Sequence, residues 1–106
     1  MTSFKDIDAT ELQTMLARGN VRLVDVRTDA EIAQGFISGA DKLPLHLLPL
    51  RLGEFDHATP TVFYCRVGAR SAQAAAFAAA QGFVEAYNLQ GGVMAWAQAG
   101  LPLMRP

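Results

Sequence analysis

The stretch TVFYCRVGARS, Thr61 to Ser71, decides how the rest of this chain is arranged. Thr61, Val62, Phe63 and Tyr64 are strand formers, and they lead into the only cysteine of the protein, Cys65. The chain then turns through Arg66, Val67, Gly68, Ala69 and Arg70. A helix follows: Ala72, Ala74, Ala75, Ala76, Ala78, Ala79 and Ala80 are the best helix formers available, and Gly82 stands where such a helix ends. This order puts the thiol at the carboxyl end of a strand and in front of a helix N-terminus, where unpaired N–H groups and the positive end of the dipole favour an anion.

Such a cysteine is expected to be acidic. A free thiol ionises at about 8.5, and a helix N-terminus or adjacent cations lower that to roughly 3.5 to 7.5. Arg66 and Arg70 supply cations, and Gly68 permits the left-handed turn that aims successive N–H groups at one centre. A buried cysteine acting as a small apolar side chain is the competing reading. Two arginines and a glycine in one tight turn weigh against it.

Outward from this stretch, helix and strand signals alternate. Phe4 to Ile7 reads as an edge strand. Asp8 with Glu11 is a capping box for a helix whose Leu12, Met15 and Leu16 share a face, closed by Gly19 and Asn20. Val21 to Val26 is nearly continuous in strand formers, as in a central strand covered on both sides. Thr28 with Glu31 forms a second capping box, for a short helix through Ala33 closed by Gly35. Phe36 to Ala40 reads as a turn, Lys42 to Leu45 as a brief strand, and His46 to Phe55 as a short helix containing Pro49 and Gly53, followed by a loop through Pro60. Beyond the alanine-rich helix, Glu85 to Leu89 is strand-like. A last short helix follows Gly92 and ends at Gly100, and Leu101 to Pro106 is expected to pack back on the core.

This alternation predicts an α/β fold with a mostly parallel sheet and helices on both faces. Ligands of such sheets bind beyond the carboxyl ends of the strands, so Asp25 and Arg27, at the end of one strand, should lie near Cys65, at the end of another. They are candidates for a supporting shell around the thiol, with a structural ion pair or loop anchor as the competing role.

Composition narrows the function. With 106 residues and 51% hydrophobic content, one domain with a real core is expected over residues 1–106. A formal net charge of -1 leaves no basic excess for nucleic acid or an anionic membrane. One cysteine excludes an internal disulfide and any multi-cysteine metal site, and fits a reducing compartment. The first twenty residues carry Lys5, Asp6, Asp8, Glu11 and Arg18 and no apolar run, so a cytoplasmic location is expected. His46 and His57 stand apart from any metal-ligand spacing, and no metal or other cofactor is expected. Phe77, Met94 and Trp96 read as core.

Three segments together carry a family resemblance. LVDVRTDAEIAQGFISGA (Leu23 to Ala40), CRVGARS (Cys65 to Ser71) and NLQGGVMAW (Asn88 to Trp96) resemble, in order and spacing, the marks of a single-domain rhodanese. The resemblance implies a three-layer sandwich and sulfur transfer through a cysteine persulfide. Cys65 would be the nucleophile, and the amides of Arg66, Val67, Gly68, Ala69, Arg70 and Ser71 would cradle the sulfur. Arg70, with Arg66 nearby, would neutralise an anionic donor such as thiosulfate, with cyanide or a thiol as acceptor. From Cys65 to Arg70 the loop has six members, whereas related phosphatases and arsenate reductases carry one residue more, so phosphatase chemistry is not expected.

The chain departs from the family pattern at Phe36, where members commonly carry histidine, and at Ser38, where they carry proline; both read as turn and packing variation. Two alternatives stand beside thiosulfate sulfur transfer. One is a relay module whose Cys65 takes sulfur from a protein donor such as a desulfurase, and the other is a non-catalytic binding domain. The apolar run from Leu43 to Leu52 is read either as a partner surface or as burial beneath the site.

Overall fold

The computed structural model describes residues 3–106. Five strands form one sheet: β1 (Lys5–Ile7), β2 (Arg22–Asp25), β3 (Asp41–Lys42), β4 (Thr61–Tyr64) and β5 (Ala86–Leu89). Their spatial order is β1-β5-β4-β2-β3, and every pairing is parallel. The strand that carries Cys65 thus lies in the middle of the sheet, and β1 lies at an edge. Parallel strands need crossovers on the faces, and these are α1 (Ala9–Arg18), α2 (Asp29–Ile32), α3 (Leu48–Arg51), α4 (Ala69–Ala80) and α5 (Gly92–Gln98). No helix among the described residues is long and apolar enough to cross a membrane.

The alternation of side chains along the strands builds two cores. On one face Val24, Val26, Phe63, Cys65 and Ala86 meet Leu48, Leu52 and the alanines 74, 75, 78 and 79 of α4. On the other, Ile7, Leu23, Val62, Tyr64 and Leu89 meet Leu12 of α1 and Val93 and Trp96 of α5. The small residues of α4 let that helix lie close to the sheet, and the layers are those of an α/β sandwich. Both capping boxes form: Asp8 and Thr28 accept from the N–H groups of Glu11 and Glu31, whose side chains return to the cap N–H groups.

Three stretches differ from the sequence reading. The brief strand expected over Lys42 to Leu45 is Asp41–Lys42 alone, because Pro44 has no N–H and the chain turns there, although the N–H groups of Leu43 and Leu45 still donate to the carbonyls of Asp25 and Val26. His46 to Phe55 is no single helix. A 3₁₀ turn over Leu45–Leu47, the four residues of α3 with Pro49 in its first turn, and another 3₁₀ turn over Leu52–Glu54 follow one another. This broken path buries Leu43, Leu48 and Leu52 against the α4 side of the sheet and leaves Leu50 78% exposed, so burial accounts for most of the apolar run. Finally, α4 starts at Ala69, which places Arg70 and Ser71 in its first turn.

The tail packs back as expected. Phe36 and Met104 exchange two backbone hydrogen bonds, at 2.9 and 2.8 Å, and the Trp96 indole N–H donates to the Pro102 carbonyl at 2.9 Å. Phe36, where the chain departs from the family pattern, is therefore the seat of the tail.

The two faces of the apolar run predict opposite outcomes for two similar substitutions. Leu48→Ala should lower the unfolding free energy by about 2–5 kcal/mol in denaturant titrations. Leu50→Ala should change it by less than about 0.5 kcal/mol.

Candidate functional site

Cys65 follows the last residue of β4, and its side chain is only 1% exposed. Gly68, with φ of 107°, is the cap of α4 and folds the loop back over the sulfur. Its N–H donates to Sγ at 3.1 Å, the N–H of Ser71 at 3.4 Å, and the Ser71 hydroxyl lies 3.3 Å away. Burial pushes the thiol pKa up; the hydrogen bonds it makes with Ser71 and with the N–H groups of Gly68 and Val67 outweigh it and hold the pKa below the ordinary value. The direction agrees with the sequence expectation, and its cause is chiefly the converging donors. The two arginines contribute less than the sequence reading gave them, and the thiol is buried rather than exposed.

The arginines are spoken for, with one exception. Arg70 forms a bidentate pair with Glu31 across 39 residues of chain, both bonds at 2.7 Å. The hydrogen bonds of Arg70, opposed by partial burial, lower the Glu31 carboxyl to about 2. Arg27 is buried with Asp25: its guanidinium donates to both carboxylate oxygens, at 2.7 Å in the shortest bond, and to the Gly35 carbonyl at 2.8 Å. Burial alone would lower the Arg27 pKa, and the bonds and charge of Asp25 raise it instead. Asp25 and Arg27 therefore anchor the β2–α2 loop, while Arg27 also reaches the wall of the cleft beside the thiol loop. Arg66 is exposed and makes no ion pair among the described residues. Arg70 thus does not point freely at an anion as the sequence suggested.

That cleft has a volume of about 190 Å³. Arg27, Glu31 and Arg66 line one part of it, and Val93, Met94 and Leu103 the other. Met94, read from sequence as core, is 40% exposed at this wall, whereas Trp96 is buried as expected. Asp25 and Arg27 are brought to the site by the pairing of β2 with β4, as the strand-end rule predicts.

Other residues that shape the site were not singled out from sequence. Gly92 has φ of 60°, and a Cβ there would collide with the carbonyls of Cys65 and Arg66. This close approach lets Val93 and Met94 donate their N–H groups to those two carbonyls, at 2.9 and 3.1 Å. The start of α5 thereby clamps the thiol loop from below. The glycine pair in NLQGG was the available signal. Glu31 gave only its capping signal, and its second role needs the folded chain. Ser71, predicted as part of the cradle, also bonds Asn88 at 2.6 Å.

The family model described as Rhodanese-like domain matches residues 8–99. A protein of Allochromatium vinosum named Sulfurtransferase is 49% identical over 102 residues, which cover 95% of each chain. The thiosulfate sulfurtransferase GlpE of Shewanella oneidensis is 35% identical over 99 residues, covering 93% of this chain and 98% of that one. Among solved structures, a rhodanese-like domain protein from Staphylococcus aureus superposes with a TM-score of 0.85 at 35% identity, covering 97% of this chain and 99% of the other.

The Glu31–Arg70 pair makes a pH prediction. A carboxyl held at about 2, against 4.5 ordinarily, stabilises the fold above its unfolded pKa, and that contribution disappears as pH falls toward 2. Glu31→Gln keeps an acceptor for the helix cap and removes the charge. It should cost about 1 kcal/mol at neutral pH, as expected for a partly exposed pair, and the difference from wild type in urea titrations should shrink between pH 4.5 and 2. A gap that stays constant over that range would assign the cost to packing.

Proposed function

Because this chain belongs to the rhodanese-like domain family, whose relatives include named sulfurtransferases, we propose that residues 1–106 form a thiosulfate sulfurtransferase domain working through a Cys65 persulfide. The observation that carries this reading is the pair of backbone donors converging on a buried, acidified sulfur, Gly68 N–H and Ser71 N–H. A nucleophile held as an anion among preorganised donors suits attack on sulfur, and the same donors can receive the charge of the product.

Each step balances without a proton. The Cys65 thiolate attacks the outer sulfur of thiosulfate; the S–S bond of the donor breaks, and sulfite departs with the electron pair. The negative charge then rests on the terminal sulfur of a Cys65 persulfide. Cyanide attacks that sulfur, thiocyanate leaves, and the thiolate is restored; a thiol acceptor would leave as its own persulfide. Arg66, exposed and without an ion-pair partner among the described residues, is the cation best placed to meet the incoming anion. Arg70 can share its charge while it holds Glu31. The apolar wall of Val93, Met94 and Leu103 beside these cations would accommodate the body of an organic acceptor.

A protein donor remains the second reading, favoured by the same apolar wall and by Val67, which is 57% exposed on the loop itself. Phosphatase chemistry is disfavoured, since the six-member loop closes its N–H groups on the sulfur itself.

With thiosulfate and cyanide, the purified protein should form thiocyanate at a rate that Cys65→Ser reduces to background. The same preparation should not hydrolyse an aryl phosphate. Arg66→Ala should raise KM for thiosulfate several-fold, with a smaller effect on kcat, because the cation acts on the approaching anion. Phosphate release that depends on Cys65 and matches the sulfur-transfer rate would overturn the assignment.

A further inference from the structure

A chain of buried polar groups leads away from the sulfur to the far edge of the sheet. Ser71, with no exposed surface, lies 3.3 Å from Cys65 Sγ and 2.6 Å from Asn88 Oδ1. Asn88, 4% exposed on β5, donates from Nδ2 to the Asp6 carboxylate at 2.9 Å. The connection spans 82 residues of sequence, and it exists because Asp6 of β1 and Asn88 are paired in the parallel register. Nothing in the sulfur-transfer steps uses Asp6 or Asn88.

Counting protons along this chain fixes its direction. An ionised carboxylate can only accept, so Asp6 obliges Asn88 to turn Nδ2 toward it and Oδ1 toward Ser71. A serine hydroxyl has one proton. With an amide oxygen 2.6 Å away on one side and the sulfur 3.3 Å away on the other, that proton goes to Asn88. The oxygen lone pairs then face Sγ, an arrangement that accepts a bond from an S–H and gives nothing to a thiolate. Ser71 has no surface exposed to solvent.

We propose that Asp6 controls the reactivity of Cys65 from the edge of the sheet, by fixing the Asn88 amide and so the direction in which Ser71 points its proton. With the carboxylate present, the resting sulfur is held mainly by backbone N–H groups. Without it, Asn88 can rotate its amide, donate from Nδ2 to Ser71 Oγ, and leave the hydroxyl proton free to bond the thiolate or the terminal sulfur of a persulfide. Asp6 is thus a positioning residue that acts through two others. The charged groups nearer the thiol, Arg66 and Arg70 on the loop, Asp25 and Arg27 beyond β2, and Glu31 on α2, are the same in both states.

The test reads the thiol directly and rests on Cys65 being the reactive group, whether or not thiosulfate is its donor. Because the chain has one cysteine, thiolate absorbance as a function of pH reports Cys65 alone. Asp6 is exposed on an edge strand, so Asp6→Ala leaves the cores untouched. The thiol pKa should fall by about one unit in Asp6→Ala, as expected when a thiolate gains one hydrogen bond. It should not fall when the same substitution is made in a Ser71→Ala protein. An unchanged pKa in Asp6→Ala would overturn the proposal. So would an equal fall with and without Ser71, since loss of a distant negative charge acting through space needs no hydroxyl. Failure of thiocyanate formation would bear on the sulfur donor and leave this titration intact.

Discussion

A sulfur anion held out of water needs hydrogen-bond donors, and the rest of this structure follows from supplying them. The Cys65 side chain is buried at the end of the central strand, where desolvation favours the neutral thiol. Only a loop that folds its own N–H groups inward can reverse that preference. Gly68 makes the reversal possible by taking a left-handed conformation, and the first turn of α4 supplies the N–H of Ser71. The loop is then fixed from the other side by α5, whose N–H groups of Val93 and Met94 bind the carbonyls of Cys65 and Arg66. Gly92 is required there because those carbonyls occupy the space of a side chain.

The charges around the loop are arranged more for shape than for attraction. Asp25 and Arg27 form a buried pair whose removal would leave an uncompensated charge, and through Gly35 they tie the β2–α2 loop to the site. Glu31 caps α2 with one set of bonds and holds Arg70 with another, so a short helix and the thiol loop are joined through one carboxylate. This leaves Arg66 as an exposed loop cation without an ion-pair partner among the described residues. The exposed guanidinium and the adjoining apolar wall of Val93, Met94 and Leu103 lie on the same cleft.

Local signals in the sequence were sufficient for much of this. The capping pairs Asp8–Glu11 and Thr28–Glu31, the strand run ending at Cys65 and the alanine pattern of α4 each act within a few residues, and each appears in the structure. Pro49 and Gly53 within His46 to Phe55 do not specify the three short turns that replace the expected helix. What was illegible depends on pairings across the chain. Arg70 meets Glu31 only when α2 and the thiol loop are brought together, and Asp6 meets Asn88 only through the pairing of β1 with β5. The burial of Cys65 likewise follows from packing on both sides of its strand, which a run of residues cannot report.

The central claim is that Cys65 accepts a sulfur atom as a covalent intermediate. Intact-mass measurement after brief exposure to thiosulfate and removal of excess donor tests it most directly. The account predicts a gain of one sulfur atom, reversed by cyanide and absent in Cys65→Ser. An unmodified wild-type mass, after both thiosulfate and a cysteine desulfurase with its substrate had been offered, would contradict it.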